Sequence, residues 1–363
     1  MKFWNRRTRT VTIGAVPVVV LVSLIGLPSV PGTDIDLTVP FAAEGKGPTF
    51  NTLGEVQGKP VVEIDGAPTS DSEGQLNMTT VSVRTKLTLA QALGRWLTTD
   101  DTLVPLEQVF PSNKSPEEVQ KQNAMAFAAS ESNATMSAMN YLKKPLETAV
   151  IEVSKDSPAN GVLKVNDIIT KVDGKKIDTP DKLAAAVKAK KPGDKVKITV
   201  QRVASEKNLK VTLGEVPEEL HSGKAGAFKK GQAFLGVTSV AQPAGDLRVR
   251  YNLQDVGGPS AGLMFSLAVV DKLTPKDLTS GKFIAGTGTI DSAGKVGPIG
   301  GITHKIRAAG DEGAEYFFVP ADNCSEALTV KDATPTLVKV DSLEGAVEEL
   351  KAIESGSELH TCG

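Results

Sequence analysis

The sequence of 363 residues has few of the side chains that build metal or redox sites. It contains three histidines and two cysteines, and none of them form a CxxC or HExxH motif. We therefore expect no metal ion and no cofactor. Aromatic residues make up only 4% of the chain, so its cores must be built mainly from Val, Ile, Leu and Ala.

The chain also lacks a strong excess of charge. Its 41 basic and 43 acidic residues give a net charge of −2, and the basic residues are spread along the sequence, so nothing in the charge balance indicates a nucleic-acid-binding protein. The glycine-rich stretch GTGTIDSAGKV is not a phosphate loop. Thr289 stands where that motif needs glycine, and Val296 where it needs Ser or Thr. We expect neither nucleic acid nor nucleotide as a partner.

Residues 11–30, VTIGAVPVVVLVSLIGLPSV, form an uncharged apolar run that follows basic residues at positions 2, 6, 7 and 9. About 20 such residues can span a bilayer as a helix, and the basic flank favours the cytoplasmic side. A cleaved signal peptide is the alternative, but its apolar core is normally shorter, and Phe41-Ala42-Ala43 is a distant cleavage site. We expect a single-pass anchor in the cell membrane, with the N-terminus cytoplasmic and the C-terminal bulk of the chain extracytoplasmic.

The two cysteines agree with that topology. Cys324 and Cys362 are 38 positions apart, and an even number of cysteines outside the membrane permits a disulfide. Closing such a loop contributes about 4 kcal/mol in the chain-entropy model. The bridge would hold the C-terminal tail on the last domain. In a cytosolic protein the same residues would be two ordinary thiols.

Residues 33–144 combine predicted strands with one long helix. Two short predicted strands, each ending in a glycine turn, are found in GPTFNTLG and KPVVEIDG. A longer strand is predicted in TTVSVRTKL. Ser115 and Glu118 form a capping box around Pro116, which predicts a helix of about 25 residues. That helix is rich in small residues and shows no evident chemistry. We expect this region to pack with the C-terminal domain.

Residues 145–216 contain three characteristic motifs, NGVLKVNDIITKVDGKKI, TPDKLAAAV and PGDKVKITVQR. On these motifs the region resembles a PDZ domain of the bacterial protease-associated kind. The resemblance implies a groove that takes an extended peptide beside a helix. We expect the groove between strand 149–153 and helix 181–189, lined by Ala149, Ile151, Val153 and Leu183. The carboxylate-binding loop, expected near residues 141–147, has no glycine-rich motif; a ligand-free spacer is the alternative.

Ser260 lies in a turn of residues with little or no side chain, which an apolar helical run follows. These neighbours are Gly257, Gly258, Pro259, Ala261 and Gly262. In one interpretation Ser260 only caps a glycine-rich helix start. In the other it is a nucleophile that a substrate backbone approaches closely, with N–H groups and the helix dipole available to stabilise an oxyanion.

Lys305 lies on a predicted helix, ITHKIRAA, where it shares the apolar face with Ile302, Ile306 and Ala309. Burial would lower the lysine pKa from about 10.4, as a general base at neutral pH requires. A lysine whose ammonium group reaches water is the alternative.

The GGPSAG turn, the TGTI stretch, PIGGxxxK and the closing FFVP strand together resemble the peptidase domain of Lon proteases. The order of anchor, PDZ and peptidase domain is similar to that of the YlbL-type membrane proteases. This resemblance implies a Ser-Lys dyad, with Ser260 as nucleophile, Lys305 as general base and Thr287 holding the amine. It also implies that substrate approaches along Gly257, Gly258, Pro259 and Ala261.

A Ser-His-Asp triad is a weaker alternative. His304 adjoins Lys305 and points about 100° away from it on a helix, while His221 lies in a polar linker and His360 in the tail. The functional alternative is a non-catalytic peptide-binding adaptor, in which the Lon-like domain forms only an oligomeric scaffold.

The sequence therefore predicts a multidomain α+β protein that acts as an ATP-independent serine endopeptidase. We expect it to cleave unfolded or exposed polypeptide segments, with selection or gating by the PDZ domain, and to form a ring, a hexamer or a trimer. The predicted parts are a basic tail and anchor (1–32), a β/α region (33–144), a PDZ domain (145–216) and a Lon-type proteolytic domain (217–363).

Overall fold

The computed structural model describes residues 15–363 except residues 17, 20, 111–113, 204, 219–230 and 255. Part of the predicted anchor, namely residues 1–14, 17 and 20, lies outside the described residues, and so does His221. Among the residues that are described, no helix has both the length and the apolar character needed to cross a membrane.

The region before the PDZ unit contains a strand-rich half and a long helix. Its strands are β1 (Phe41–Asn51), β2 (Glu55–Val56), β3 (Lys59–Pro60), β4 (Val62–Asp65), β5 (Gln75–Arg84) and β6 (Thr102–Pro105). Its helices are α1 (Leu89–Thr98), α2 (Leu106–Val109) and α3 (Pro116–Tyr141). The capping-box prediction is confirmed, because the Ser115 side chain caps α3 and the Glu118 side chain returns to the Ser115 backbone.

The PDZ unit is a sheet with one short helix. Its strands are β7 (Leu146–Val153), β8 (Ile168–Val172), β9 (Lys175–Lys176), β10 (Lys195–Arg202), β11 (Ser205–Thr212), β12 (Gly214–Glu215), β13 (Ala233–Phe234) and β14 (Val237–Pro243), and its helix is α4 (Pro180–Lys188). The sheet order is β11-β10-β8-β7-β14. Strand β14, late in the sequence, thus completes a sheet that begins 91 residues earlier at Leu146.

The remaining elements alternate strands and helices. They are β15 (Arg248–Tyr251), α5 (Gly262–Lys272), β16 (Phe283–Gly286), β17 (Thr289–Ile290), β18 (Val296–Gly297), α6 (Ile302–Asp311), β19 (Tyr316–Pro320), α7 (Cys324–Ala327), β20 (Thr336–Val340) and α8 (Leu343–Ser355).

One six-stranded sheet unites the first and last parts of the chain. Its order is β20-β19-β16-β5-β1-β6. Strands β20, β19, β16 and β5 are parallel, and β1 pairs antiparallel with both β5 and β6. Residues 33–144 therefore supply strands to the same sheet as the C-terminal region and do more than pack against it. The PDZ unit is inserted in sequence between these two halves of one sheet.

The nearly all-apolar sequence of α5 is explained by its central position. All residues from Gly262 to Asp271 are buried, and the helix contributes to a core shared with α3, α8 and strands of the main sheet. An amphipathic helix can bury one stripe, whereas a helix covered on all sides must be apolar all round. This packing fixes the position of the turn that precedes α5.

The C-terminal tail is attached to the edge of the main sheet at β20. Cys324 and Cys362 form a disulfide, and the backbone N–H of Cys362 donates to Leu337 O at 3.0 Å. Lys339 N–H donates to His360 O at 2.8 Å, so the tail extends the sheet by a short bridge. The disulfide and the hydrogen bonds hold the same segment.

Candidate active site

Backbone and side-chain contacts from α3 hold the turn that carries Ser260. Gly258 has a φ of +86°, a conformation that favours glycine, and its N–H donates to Asn123 O at 3.0 Å. The Ser130 hydroxyl donates to Pro259 O at 3.1 Å. Ser260 follows directly, and α5 begins two residues later with Ala261 as its N-cap. The serine is thus presented at the amino end of a buried helix.

The neighbouring glycines have packing roles as well as giving access. A Cβ atom at position 262 would lie 2.8 Å from the Ile290 side chain and 2.9 Å from Ser130 Oγ. A Cβ atom at Gly257 would lie 3.1 Å from Asn123 Cβ. Small residues here let α3 and α5 approach closely. Their presence therefore reflects helix packing in addition to the substrate access that the sequence suggested.

Lys305 is buried on the face of α6 that the sequence pattern predicted. Ile302 and Ile306 are fully buried on the same face, and Lys305 itself is 2% exposed. Burial disfavours the ammonium form and lowers the pKa of Lys305 from 10.5 to about 7. A substantial fraction of the lysine is therefore neutral near physiological pH, and the alternative of an ammonium group that reaches water does not apply.

Lys305, Ser260 and Thr287 meet in one hydrogen-bonded cluster. Lys305 Nζ lies 2.9 Å from Ser260 Oγ and 2.9 Å from Thr287 Oγ1. The Thr287 hydroxyl in turn donates to Ser260 O at 3.1 Å. Ser260 and Thr287, which are 45 and 18 positions from Lys305 in the sequence, are thus both in direct contact with its amine.

The backbone after Thr287 fixes the same turn from the other side. Gly288 N–H donates to Ser260 O at 2.9 Å, and Leu263 N–H donates to Gly288 O at 3.1 Å. Ser260 O therefore accepts from both the Thr287 hydroxyl and the Gly288 amide. These bonds hold the serine in register with the lysine.

Two adjoining cavities meet at the Ser260 and Lys305 side chains. One, about 380 Å³, has an apolar lining that includes Phe50, Met78 and Phe127. The other, about 560 Å³, is lined by Glu44 and residues 298–301 among others. Gly257 and Gly258 border both cavities. A polypeptide chain that passes these glycines would present its backbone to Ser260.

His304 lies away from this cluster. Its ring is buried, and Nε2 is 3.1 Å from Thr102 Oγ1 in β6. Burial lowers the pKa of His304, so the ring is neutral at physiological pH. His360 is in the tail, where Nδ1 contacts Glu349 at 2.6 Å. Neither histidine is placed to act on Ser260.

The predicted position of the PDZ groove is wrong. Strand β7 pairs with β8 on one side and with β14 on the other, so an added peptide strand has no free edge there. Ile151 is 48% exposed at a bulge, because Thr238 pairs with Glu152 whereas Ser239 pairs with Val150. Ala149 and Val153 lie on the same internal strand and do not line the groove.

The groove beside α4 is instead formed by the start of β14. Leu183, Ala184 and Val187 of α4 face residues 235–239 across a cavity of about 130 Å³. Leu183 is therefore the predicted groove residue that the structure places there. Gly236 has a φ of +81°, and a Cβ atom there would lie 2.0 Å from Ser157 Cβ. The missed sequence signal was AFLGV, a glycine between apolar residues that lies outside the expected PDZ boundaries.

Other contributors to the candidate active site were not evident in the sequence. Asn123, Phe127 and Ser130 come from α3, whose sequence had suggested no chemistry. Asn123 acts through its backbone carbonyl, which any residue possesses, and Ser130 is one of several small polar residues in that helix. Only the packing of α3 on α5 identifies them.

Comparison with protein families identifies two domains in the chain. Residues 122–213 match the PDZ domain family, and residues 190–353 match the Lon protease (S16) C-terminal proteolytic domain. The second match contains Ser260, Thr287 and Lys305 but not β1, β5 and β6, which complete the same sheet. The chain therefore carries a PDZ domain and a Lon-type proteolytic domain.

Individual relatives agree with these two matches. A probable periplasmic serine endoprotease DegP-like of Ectopseudomonas mendocina is 38% identical over 37% of this chain and 30% of its own length. The Lon protease of Phenylobacterium zucineum is 30% identical over 38% of this chain and 18% of its own. Lon protease 1 of Thermus thermophilus is 27% identical over 61% of this chain and 28% of its own.

The chain thus spans less than a third of the length of each of these relatives. The Lon proteolytic domain and the Lon protease relatives support a serine endopeptidase.

Proposed function

We propose that this chain is an ATP-independent, membrane-anchored serine endopeptidase that uses a Ser-Lys dyad. The observation that carries the proposal is the 2.9 Å contact between Ser260 Oγ and the amine of Lys305, whose pKa burial lowers to about 7. A serine hydroxyl is a weak nucleophile until an adjacent base accepts its proton. A neutral lysine amine held at this distance is such a base.

In the first half of the reaction, the Lys305 lone pair takes the proton from the Ser260 hydroxyl as Oγ attacks the carbonyl carbon of the peptide bond. The carbonyl oxygen becomes an oxyanion at the amino end of α5, where backbone N–H groups and the helix dipole favour negative charge. The Lys305 ammonium then gives its proton to the leaving amine. An acyl group remains on Ser260.

In the second half, water replaces the leaving amine. Lys305, neutral again, takes a proton from the water as its oxygen attacks the acyl carbon, and the proton returns to Ser260 Oγ as the ester bond breaks. Thr287 positions the amine throughout, because its hydroxyl contacts Nζ at 2.9 Å and is itself tied to Ser260 O.

Unfolded or exposed polypeptide segments are the proposed substrates. The cavity next to Ser260 is lined by Phe50, Met78 and Phe127, so it suits an apolar side chain beside the cleaved bond. The PDZ domain would select or gate substrates by adding a peptide strand beside α4, along the edge of β14 that no other described strand pairs with.

The proposal also includes membrane anchoring through residues 11–30 and an extracytoplasmic catalytic part. It further includes a ring-shaped homo-oligomer, either a hexamer or a trimer. The basic residues before position 11 and the apolar run after it support the topology. The order of anchor, PDZ and Lon-type domain supports the YlbL type of membrane protease. ATP independence is supported by the failure of GTGTIDSAGKV to match a phosphate loop.

The test is degradation of casein, an unfolded protein, by the full chain in detergent without nucleotide. We expect cleavage that Ser260→Ala abolishes and that added ATP does not change. The non-catalytic adaptor would bind casein without cutting it. Cleavage that persists unchanged in Ser260→Ala would contradict the assignment of the nucleophile, and strict dependence on ATP would contradict the proposed independence.

A further inference from the structure

Helix α1 presents an apolar face that the described part of the chain leaves uncovered. Leu89 and Leu93 are 42% and 43% exposed, and Trp96 and Leu97 are 61% and 71% exposed. At 100° per residue, these four side chains fall within an arc of about 100° on the helix. Such a cluster on one helix face differs from the scattered apolar residues found on most protein surfaces.

The side of α1 next to this apolar face attaches the helix to the edge of the main sheet. Ala92 is buried in a small core with Ala43 and Leu87. Arg95 is the helix's one charged residue, and its guanidinium donates to Asp101 at 2.8 Å. The helix is therefore held firmly by one face, and no charge interrupts its exposed apolar face.

Residues just after the apolar run 11–30 connect it directly to α1. Leu37 N–H donates to Pro28 O at 2.9 Å, which closes a short hairpin. Thr38 then forms a bridge to Thr88, the N-cap of α1, and Val39 N–H donates to Leu87 O at 2.8 Å. From these pairings, the end of the run lies within about 15 Å of the start of α1.

The described part of that run is itself exposed. Val16, Val18, Val19, Leu21 and Val22 are each between 54% and 62% exposed. The run and the exposed face of α1 are thus both uncharged and apolar, and the end of the run lies near the start of α1. If the run enters a bilayer, the short connection leaves α1 at the membrane surface.

We propose that α1 lies in the interfacial layer of the lipid bilayer, with Leu89, Leu93, Trp96 and Leu97 facing the acyl chains. Helices of this kind combine an apolar face with tryptophan, the residue enriched at membrane–water interfaces. The catalytic sheet then has two attachments to the membrane, the anchor and α1, which restrict its orientation. This inference rests on the proposed anchoring by residues 11–30.

The chain provides its own fluorescent reporter, because its two tryptophans are Trp4 and Trp96. In full-length Trp4→Phe protein, Trp96 is the single tryptophan. We would reconstitute this variant in phosphatidylcholine–phosphatidylglycerol vesicles, with and without phosphatidylcholine brominated on its acyl chains. Flotation of the vesicles reports whether the chain is anchored, and quenching reports where Trp96 lies.

We expect the protein to float with the vesicles and brominated lipid to lower Trp96 emission about twofold, while aqueous iodide has little effect. The matched reporter is Val203→Trp in a Trp4→Phe, Trp96→Phe background. Val203 is 90% exposed at a hairpin tip of the PDZ unit, so this tryptophan should be quenched by iodide and not by brominated lipid.

Charge substitutions on the two sides of α1 give a second readout. Leu93→Glu with Leu97→Glu should make Trp96 accessible to iodide, whereas Gln91→Glu with Thr98→Glu, on the polar side, should not. All four positions are exposed, so folding is not at risk.

The outcomes separate this inference from the anchor. A protein that floats while Trp96 is quenched by iodide contradicts the interfacial position of α1 and leaves the anchor intact. Protection of Trp96 from both quenchers means that a second copy of the chain covers the helix, which also contradicts the inference. A chain that does not float contradicts the anchor, and the interfacial helix with it.

Discussion

Lys305 Nζ lies 2.9 Å from Ser260 Oγ, although 45 positions separate the two residues in the sequence. The contact depends on two independent structural facts. The packing of α3 and α5 fixes the turn before Gly262, and the buried face of α6 directs Lys305 towards that turn. Because burial also lowers the lysine pKa to about 7, one arrangement provides both the position and the basicity of the amine.

Thr287→Val should slow peptide cleavage about tenfold without abolishing it, because the loss of one or two hydrogen bonds misorients the amine but leaves it beside Ser260. The measurement is kcat on a peptide substrate. Thr303→Val, on another face of α6, is the matched control and should retain wild-type activity. A Thr287→Val enzyme as fast as the wild type would show that the hydroxyl does not position the lysine.

Lys305→Met should stabilise the fold while abolishing activity. The folded-state pKa of about 7 lies below the unfolded value of 10.5, so between these values the unfolded chain binds more protons than the native protein. Burial of the amine therefore lowers the free energy of unfolding by its full amount below pH 7. This destabilisation disappears as the pH rises towards 10.5. Removing the amine should raise the free energy of unfolding by more than about 1 kcal/mol at pH 7.

Urea unfolding of wild type and Lys305→Met at pH 6, 7 and 9 measures this difference. The gain should be larger at pH 6 than at pH 9. A stability difference that is independent of pH over this range would mean that Lys305 titrates normally in the folded protein.

Ala184→Arg should weaken the binding of unfolded substrate to the PDZ groove about tenfold, because it places a charged side chain between α4 and β14. Ala184 is exposed, so the substitution should leave the fold intact. Binding of labelled casein to the inactive Ser260→Ala protein is the measurement. Ile151→Arg is the control, and it should have no effect because Ile151 lies at a bulge of an internal strand.

Equal losses in the Ala184 and Ile151 variants would argue that the PDZ domain is destabilised as a whole. A normal affinity in Ala184→Arg would exclude the groove beside β14 as the binding site.

Replacing Cys324 and Cys362 together by serine should lower the free energy of unfolding by about 2–4 kcal/mol, since the disulfide restricts the unfolded chain. Urea unfolding compares the variant with the wild type, and reduction of the wild type with dithiothreitol should give the same loss. No loss in either case would mean that the hydrogen bonds of the tail to β20 suffice to hold it.

The sequence predicted the three members of the hydrogen-bonded cluster but not the residues that surround them. The apolar neighbours of Lys305 and the small residues around Ser260 left alternatives open, and the resemblance to Lon proteases implied the roles of both residues. The contacts from Asn123 and Ser130 depend on how α3 packs on α5, and the small residues of α3 produce no periodic pattern. The parallel pairing of β5 with β16 joins segments about 200 residues apart, and nothing local in either segment specifies it.

The PDZ groove shows a different limit. The strand 149–153 was correctly expected as a strand, but its exposure depends on whether another strand covers its edge. Strand β14 covers that edge, but it begins only after residue 236. The preceding chain includes a segment of 12 residues, 219–230, that lies outside the described residues. The motif AFLGV was present in the sequence, and only its late position separated it from the rest of the PDZ pattern.

The most direct test of the Ser-Lys dyad is the pH dependence of kcat/KM for wild type and Lys305→Arg on one peptide substrate. The wild-type value should rise with a single ionisation near pH 7, the pKa to which burial brings Lys305. Lys305→Arg should be inactive at every pH up to 10, because a guanidinium keeps its proton, and circular dichroism should show that it is folded. A folded Lys305→Arg enzyme that cleaves at near wild-type rate with the same pH profile would contradict the dyad.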